Sequence, residues 1–345
     1  MKKCISLFFV PVMLFSFVTM TVYAEDAEFT VKTEDIRIRD PYILVADDLY
    51  YMYGTGLVGD NGYGCYVSRD LKLWDGPYTV FAASSDFDGI KNFWAPECHY
   101  YEGSYYLFAT YYSNTTEHRG VSVFMADDPL GPFEEISEGH VTPHDQDAID
   151  GTLYIDENER PWMIYCQEWT GTTDSIGSMV AAPMSDDLTQ FISEPTELFK
   201  ANDPIWTNRG VTDGPFLYTT KYGKLIMIWS NNTSNGYSVG IAKSKDGKPD
   251  GKWAQQATLL YSKSLSEPDD GGHGMIFTSL DGRLMMCIHS PNSRGDGYFE
   301  TAKFIELYDT GYSLIPASTP GIFIKIIDKF NSIRHCLEVF FETLF

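Results

Sequence analysis

Five polar side chains, Asp40, Glu97, Asp150, Asp213 and His273, stand where strand-like segments begin. They lie 53 to 63 residues apart, and each opens the same order: a strand, a tight turn, a second strand rich in aromatics and Met. The pattern is plainest in residues 148–156, AIDGTLYID, where Leu153 and Ile155 alternate with Thr152, Tyr154 and Asp156 as in a half-buried strand. Four carboxyls and an imidazole gathered at one point can do acid–base work, if one carboxyl stays ionised and another keeps its proton. Such a ring is costly unless protons or a cation compensate, and proteins accept that cost mainly for function.

The elements that must position these groups are repeats. Residues 38–74, 93–133, 148–191, 211–253 and 272–315 read as five units, after a lead-in over residues 25–36. The first four end in SRDLKLW, ADDPLGPF, SDDLTQF and SKDGKPDGKW, each an acidic turn and then an aromatic that a closing strand would set between neighbouring sheets. The interval is that of a propeller blade. Strands at short spacing, with Gly, Asp and Asn turns and no helical periodicity before Pro316, argue an all-β chain. The expectation is a five-bladed β-propeller over residues 25–315. The innermost strands would then start on one face and bring the five polar groups to the axis.

The flanks read differently. Lys2 and Lys3, an apolar stretch from Ile5 to Met20, and Val22-Tyr23-Ala24 before Glu25 form a secretory signal peptide over residues 1–24. Export is therefore expected. Residues 316–321, PASTPG, read as a linker. In residues 322–345 Ile326, Ile327, Phe330, Ile333, Leu337, Phe340, Phe341 and Leu344 recur at helical spacing, predicting a short C-terminal amphipathic helix. It would pack on the propeller or on a copy of itself, or attach to a membrane or partner; its charges rule out a bilayer span. A net charge of −23 argues against nucleic acid or an anionic membrane as partner. Beyond Cys4, five cysteines without a CxxC pair imply neither a zinc site nor a disulfide framework. No nucleotide, flavin or pyridoxal motif appears, so no organic cofactor is expected.

The motifs around the five groups together resemble a family. Arg39-Asp40-Pro41-Tyr42, Phe93-Trp94-Ala95-Pro96-Glu97, Ile149-Asp150-Gly151-Thr152-Leu153-Tyr154, Asp213-Gly214-Pro215-Phe216 and Gly271-Gly272-His273-Gly274-Met275 look like glycoside hydrolase family 43. The resemblance covers about residues 35–315. It implies a five-bladed propeller that inverts the anomeric carbon, with arabinofuranosidase, xylosidase or endo-arabinanase activity on plant polysaccharides or oligosaccharides. Carried across, Asp40 matches the general base, Asp150 the residue that tunes and orients the acid, and Asp213 the acid itself. A histidine at the place of His273 implies an axial cation, often calcium, held mostly through water; a purely structural histidine is the plainer reading. His289, later in the same blade, reads as core or pocket wall.

The acid departs from the family, whose Glu-Gly-Pro appears here as Asp213-Gly214-Pro215. An aspartate reaches one C–C bond less far, roughly 1.5 Å, and catalysis is sensitive to misplacements of that size. Glu168 ends the strand antiparallel to that of Asp150 and is the second candidate for the acid. Glu97 is expected as a substrate or supporting hydrogen-bonding group. Trp94 and Trp169 flank Glu97 and Glu168 and could offer apolar faces to a sugar, although packing between blades is the commoner fate of such residues. The leading expectation is thus an exported glycosidase. Its alternative is a carbohydrate-binding propeller with weak or no hydrolysis, motivated by the short acid.

Overall fold

The computed structural model describes residues 28–264, 266–292 and 299–342. The signal peptide expected over residues 1–24, and Leu344, lie outside the described residues. The described chain forms five antiparallel sheets over residues 31–82, 89–135, 148–200, 213–255 and 272–316, numbered here as blades one to five. In blades two to five, and in the four inner strands of blade one, the strands follow in sequence order from the axis outward, which short turns and period-two burial make the simplest solution. Several sequence boundaries shift: blade one runs past Trp74 to Ala82, and blade two starts at Gly89 rather than Phe93. The lead-in contributes Val31–Lys32 as a fifth, outermost strand of blade one, paired with Leu73 and Trp74. Blade three runs past Phe191 to an outer strand at Thr196–Lys200.

The core lies between sheets rather than inside any one of them. Trp74, fully buried, stacks on Phe304 with ring centroids 6.4 Å apart, joining blade one to blade five. Phe133 packs in the cluster shared by blades one, two and five, and Trp253 in the cluster shared by blades three and four. These three closing aromatics sit where the repeat places them; Phe191, which precedes the outer strand of blade three, is half-buried and stacks on Tyr165 of its own blade. Cys65, Cys98, Cys166 and Cys287 are free thiols in these layers, serving as small apolar groups.

The chain closes the ring without exchanging a strand. Ile38 N–H donates to the Glu300 carbonyl at 2.9 Å, Leu280 N–H to the Tyr50 hydroxyl at 2.8 Å, and Arg39 Nη1 to Glu300 Oε1 at 2.9 Å.

After the last strand, Leu314–Pro316, a single α-helix (α1) spans Gly321–Glu342. It docks on the turns 220–224 and 310–313, at the far end of the strands from their axial starts. Its polar side faces the propeller. Lys221 pairs with Asp328 at 3.4 Å and Lys224 with Glu338 at 2.9 Å; Asn331 donates to the Thr310 carbonyl at 2.8 Å; His335 stacks on Tyr222 at 4.2 Å. Of the docking modes the sequence left open, packing of the apolar stripe on the propeller is not the one seen: Ile327 is half-buried, but Ile326, Phe330, Ile333, Leu337, Phe340 and Phe341 are exposed. No described helix is long and apolar enough to cross a membrane.

Candidate active site

Each innermost strand breaks its pairing at the same point, where two residues oppose one on the neighbouring strand. The breaks fall between Arg39 and Tyr42, Trp94 and Glu97, Ile149 and Thr152, Asp213 and Phe216, and Gly272 and Met275. The first residue of each bulge is left-handed: Asp40 at φ 52°, Ala95 at 43°, Asp150 at 57°, Gly214 at 50° and His273 at 51°. A residue with a Cβ gives up roughly 1–2 kcal/mol to sit there. That strain aims Asp40, Asp150 and His273 inward from an otherwise regular sheet.

The bulges correct the alignment read from sequence. Asp213 stands one residue before the bulge, level with Arg39, Trp94 and Ile149. Glu97 stands two residues after it, level with Tyr42 and Thr152. The glycine at position 214 is required twice over, since a Cβ there would lie 2.8 Å from the His273 ring.

A chain of hydrogen bonds links one blade to the next at this level. The bulge N–H of Ala95 donates to Thr55 Oγ1 at 2.7 Å, that of Asp150 to Thr110 Oγ1 at 3.1 Å, that of His273 to Ser230 Oγ at 2.8 Å, and that of Asp40 to His289 Nδ1 at 3.1 Å. Every acceptor stands opposite the residue that precedes the bulge of the preceding blade. In blade three that place is taken by Cys166, a weak acceptor. The N–H of Gly214 turns instead to Asp150 Oδ2, at 3.1 Å. One departure from the repeat thus ties the Asp150 carboxylate to the backbone beside Asp213.

The result is a cavity of about 350 Å³ lined by Arg39, Asp40, Thr55, Trp94, Ile149, Asp150, Glu168, Trp169, Asp213 and His273. Seven of the eight side chains expected from sequence line it. Glu97 does not; it is 4% exposed and bonds His99 Nε2 at 3.2 Å beneath the floor. Arg39, Thr55 and Tyr237 escaped the sequence reading, whereas His289, read as core or pocket wall, is fully buried behind Asp40. Of the three that escaped, only Arg39 carried a signal in the sequence, as the neighbour of Asp40.

The carboxyls are not equivalent. Burial pushes Asp40 up, but attraction to His273 and Arg39 and the Thr55 hydroxyl at 2.7 Å outweigh it, leaving Asp40 below its ordinary value. His273 Nδ1 lies 3.2 Å from Asp40 Oδ1 and 3.6 Å from Asp150 Oδ2. Burial holds His289 neutral, at about 3, so its Nδ1 is free to accept from Asp40 while Nε2 meets Asn292 Oδ1 at 3.2 Å.

Burial and repulsion from Asp150 lift Asp213 to about 8, against the Tyr237 hydroxyl that donates to its Oδ2 at 2.7 Å. Asp150 is likewise raised, by burial and by Asp40, with the Gly214 N–H opposing. The Asp150–Asp213 pair therefore resists losing its last proton while Asp40 stays charged.

Glu168 is engaged on both oxygens. Arg119 Nε donates to Oε2 and the Thr170 hydroxyl to Oε1 at 2.8 Å, and the Arg119 guanidinium lies 5.7 Å from the Trp94 ring centroid. That network fixes one wall and the Trp94 face.

Calcium takes six to eight oxygen ligands, whereas His273 offers nitrogen, with Nδ1 already turned to two carboxylates. Among the described residues no three His, Cys, Asp or Glu side chains are arranged to hold a metal. The described residues thus offer no all-protein cage for an axial ion, and His273 would reach one mostly through water.

Comparison with known proteins agrees with this geometry. An endo-arabinase structure from Bacteroides thetaiotaomicron superposes with a TM-score of 0.73 at 38% identity, covering 81% of this chain and 98% of that one. The probable arabinan endo-1,5-alpha-L-arabinosidase C of Aspergillus niger is 24% identical over 280 residues, 73% of this chain and 82% of its own. The extracellular endo-alpha-(1->5)-L-arabinanase 1 of Bacillus subtilis is 25% identical over 143 residues, 39% of this chain, and the match spans only 44% of that relative's length. The profile of the glycosyl hydrolases family 43 matches residues 34–305, which include every residue that lines the cavity, and the chain belongs to that family.

Proposed function

We propose that this protein is an exported, inverting hydrolase of α-1,5-linked arabinan that cuts within the chain. The observation that carries the chemistry is the placement of two carboxyls in one cavity: Asp40 beside His273 and the Thr55 hydroxyl, which favour its ionised form, and Asp213 buried beside Asp150, which favours keeping a proton. Asp40 takes a proton from water as the water oxygen bonds to the anomeric carbon. The glycosidic C–O bond breaks and Asp213 gives its proton to the departing oxygen. Asp150 and Asp213 together resist losing their last proton, which supplies Asp213 as donor, and Asp150 holds the Gly214 backbone in place. Trp94 and Trp169 offer ring faces to the sugars.

Arabinan as substrate is supported by the 38% identity to an endo-arabinase over 98% of its length. Export is supported by the leader-like first 24 residues. Proton NMR of linear arabinan during the first turnovers, with enzyme from culture supernatant, tests the proposal. Oligosaccharides whose new reducing ends appear first as the β anomer are expected. First appearance of the α anomer would contradict inversion, and release of arabinose alone would contradict internal cleavage.

The same roles set the pH dependence. Asp40 must be ionised, so activity is lost as pH falls through its depressed value. Asp213 must be protonated, so activity is lost as pH rises through about 8. The Tyr237 hydroxyl pulls Asp213 down, and Tyr237→Phe is expected to move the alkaline limb above that of the parent. A kcat/KM profile from pH 4 to 10 reads it; a limb that stays put separates Tyr237 from the acid.

A further inference from the structure

The exposed side of helix α1 is built for another helix. Phe323, Ile326, Phe330, Ile333, Leu337 and Phe340 follow one another at alternating spacings of three and four, the a/d seam of a coiled coil. The helix places that seam away from the propeller: Phe323 is 56% exposed, Phe330 70%, Ile333 53% and Leu337 52%. Its two ion-paired anions, Asp328 and Glu338, face Lys221 and Lys224 instead. Ion pairs, an amide hydrogen bond and a stacked His335 hold the helix in this inverted pose, so the stripe is presented rather than mislaid. The family match ends at residue 305, before the helix starts, so the propeller does not need it to be complete.

We infer that α1 is a self-association surface, its occupant the same helix of a second copy. Area supports one occupant of this size. At about 150–200 Å² per fully exposed side chain, the exposed apolar residues of the helix present roughly 700 Å². That exceeds the 300–600 Å² patch of an ordinary monomer, and two such faces reach the roughly 1,200–2,000 Å² of a stable interface. A two-fold pair satisfies both copies at once. Parallel pairing would set Lys329 beside Arg334 of the other helix, so the antiparallel arrangement is favoured. A lipid surface is the weaker fit, because the chain carries a net charge of −23. Since α1 lies at the far end of the strands from the cavity, pairing leaves both cavities open.

Sedimentation velocity of the purified protein at about 1–50 µM, with and without Phe330→Glu plus Leu337→Glu, tests the inference. The parent is expected as a dimer, and the double variant as a monomer with the parent's kcat on arabinan. As both positions are solvent-exposed, an unchanged melting curve shows that the variant is folded. A parent monomeric at 50 µM would overturn the inference, as would a dimer that survives both substitutions. So would a monomer that co-sediments with phosphatidylcholine or phosphatidylglycerol vesicles, which would assign the stripe to lipid.

Discussion

Asp40→Asn is expected to lower kcat by about three to four orders of magnitude on every substrate, whatever the leaving group. Asparagine keeps the shape of the side chain, accepts the Thr55 hydroxyl through its amide oxygen, and is the residue other than glycine best suited to a left-handed backbone at φ 52°. The blade-to-blade link from residue 40 N–H to His289 survives as well. The fold should therefore stand, and what disappears is the one carboxyl held below its ordinary value. A base that deprotonates water is needed however easily the sugar departs. Uniform loss across arabinan and activated aryl arabinosides, with an unchanged melting curve, is the expected reading from initial rates.

Asp213→Asn is expected to do the opposite kind of damage. On arabinan, whose leaving group is a sugar alkoxide, kcat falls by about two to four orders of magnitude. The alkaline limb near pH 8 vanishes with the group that titrates there. On a 4-nitrophenyl arabinofuranoside, whose phenolate leaves without a proton, most of the rate remains. Glu168→Gln is the control. Its two oxygens are taken by Arg119 and Thr170, so the substitution disturbs the wall that carries Trp94 but leaves the alkaline limb where it was.

The choice between Asp213 and Glu168 shows where reading the sequence reached its limit. The blades were legible because acid-turn-aromatic endings and period-two strands recur along the chain, and burial of Trp74, Phe133 and Trp253 follows from them. The cavity was legible because carboxyls opened the strands. The bulge register was not. A left-handed residue leaves no mark when it is Ala95, and a shift of one or two residues decides that Glu97 is buried outside the cavity while Asp213 lines it. Thr55 and Tyr237, and the contact of His289 with Asp40, were hidden for a related reason. They reach the carboxyls from second and third strands, some 15 to 249 residues away in sequence. Helix α1 was predicted with its period correct, but periodicity says nothing about which face meets the propeller. Lys221, Lys224 and Tyr222 decide that, and they lie more than 100 residues earlier.

The most direct test of Asp213 as acid and Asp40 as base is the leaving-group dependence of kcat/KM across aryl arabinofuranosides of graded phenol acidity. It is measured for the parent, Asp213→Asn, Asp40→Asn and Glu168→Gln. The expected result is a shallow slope for the parent, a steep slope for Asp213→Asn that meets the parent at the most acidic phenols, and a uniformly depressed line of parental slope for Asp40→Asn. A parental slope in Asp213→Asn together with a steep one in Glu168→Gln would move the acid to Glu168. No turnover of any member by the parent, with arabino-oligosaccharides still bound, would contradict hydrolysis itself.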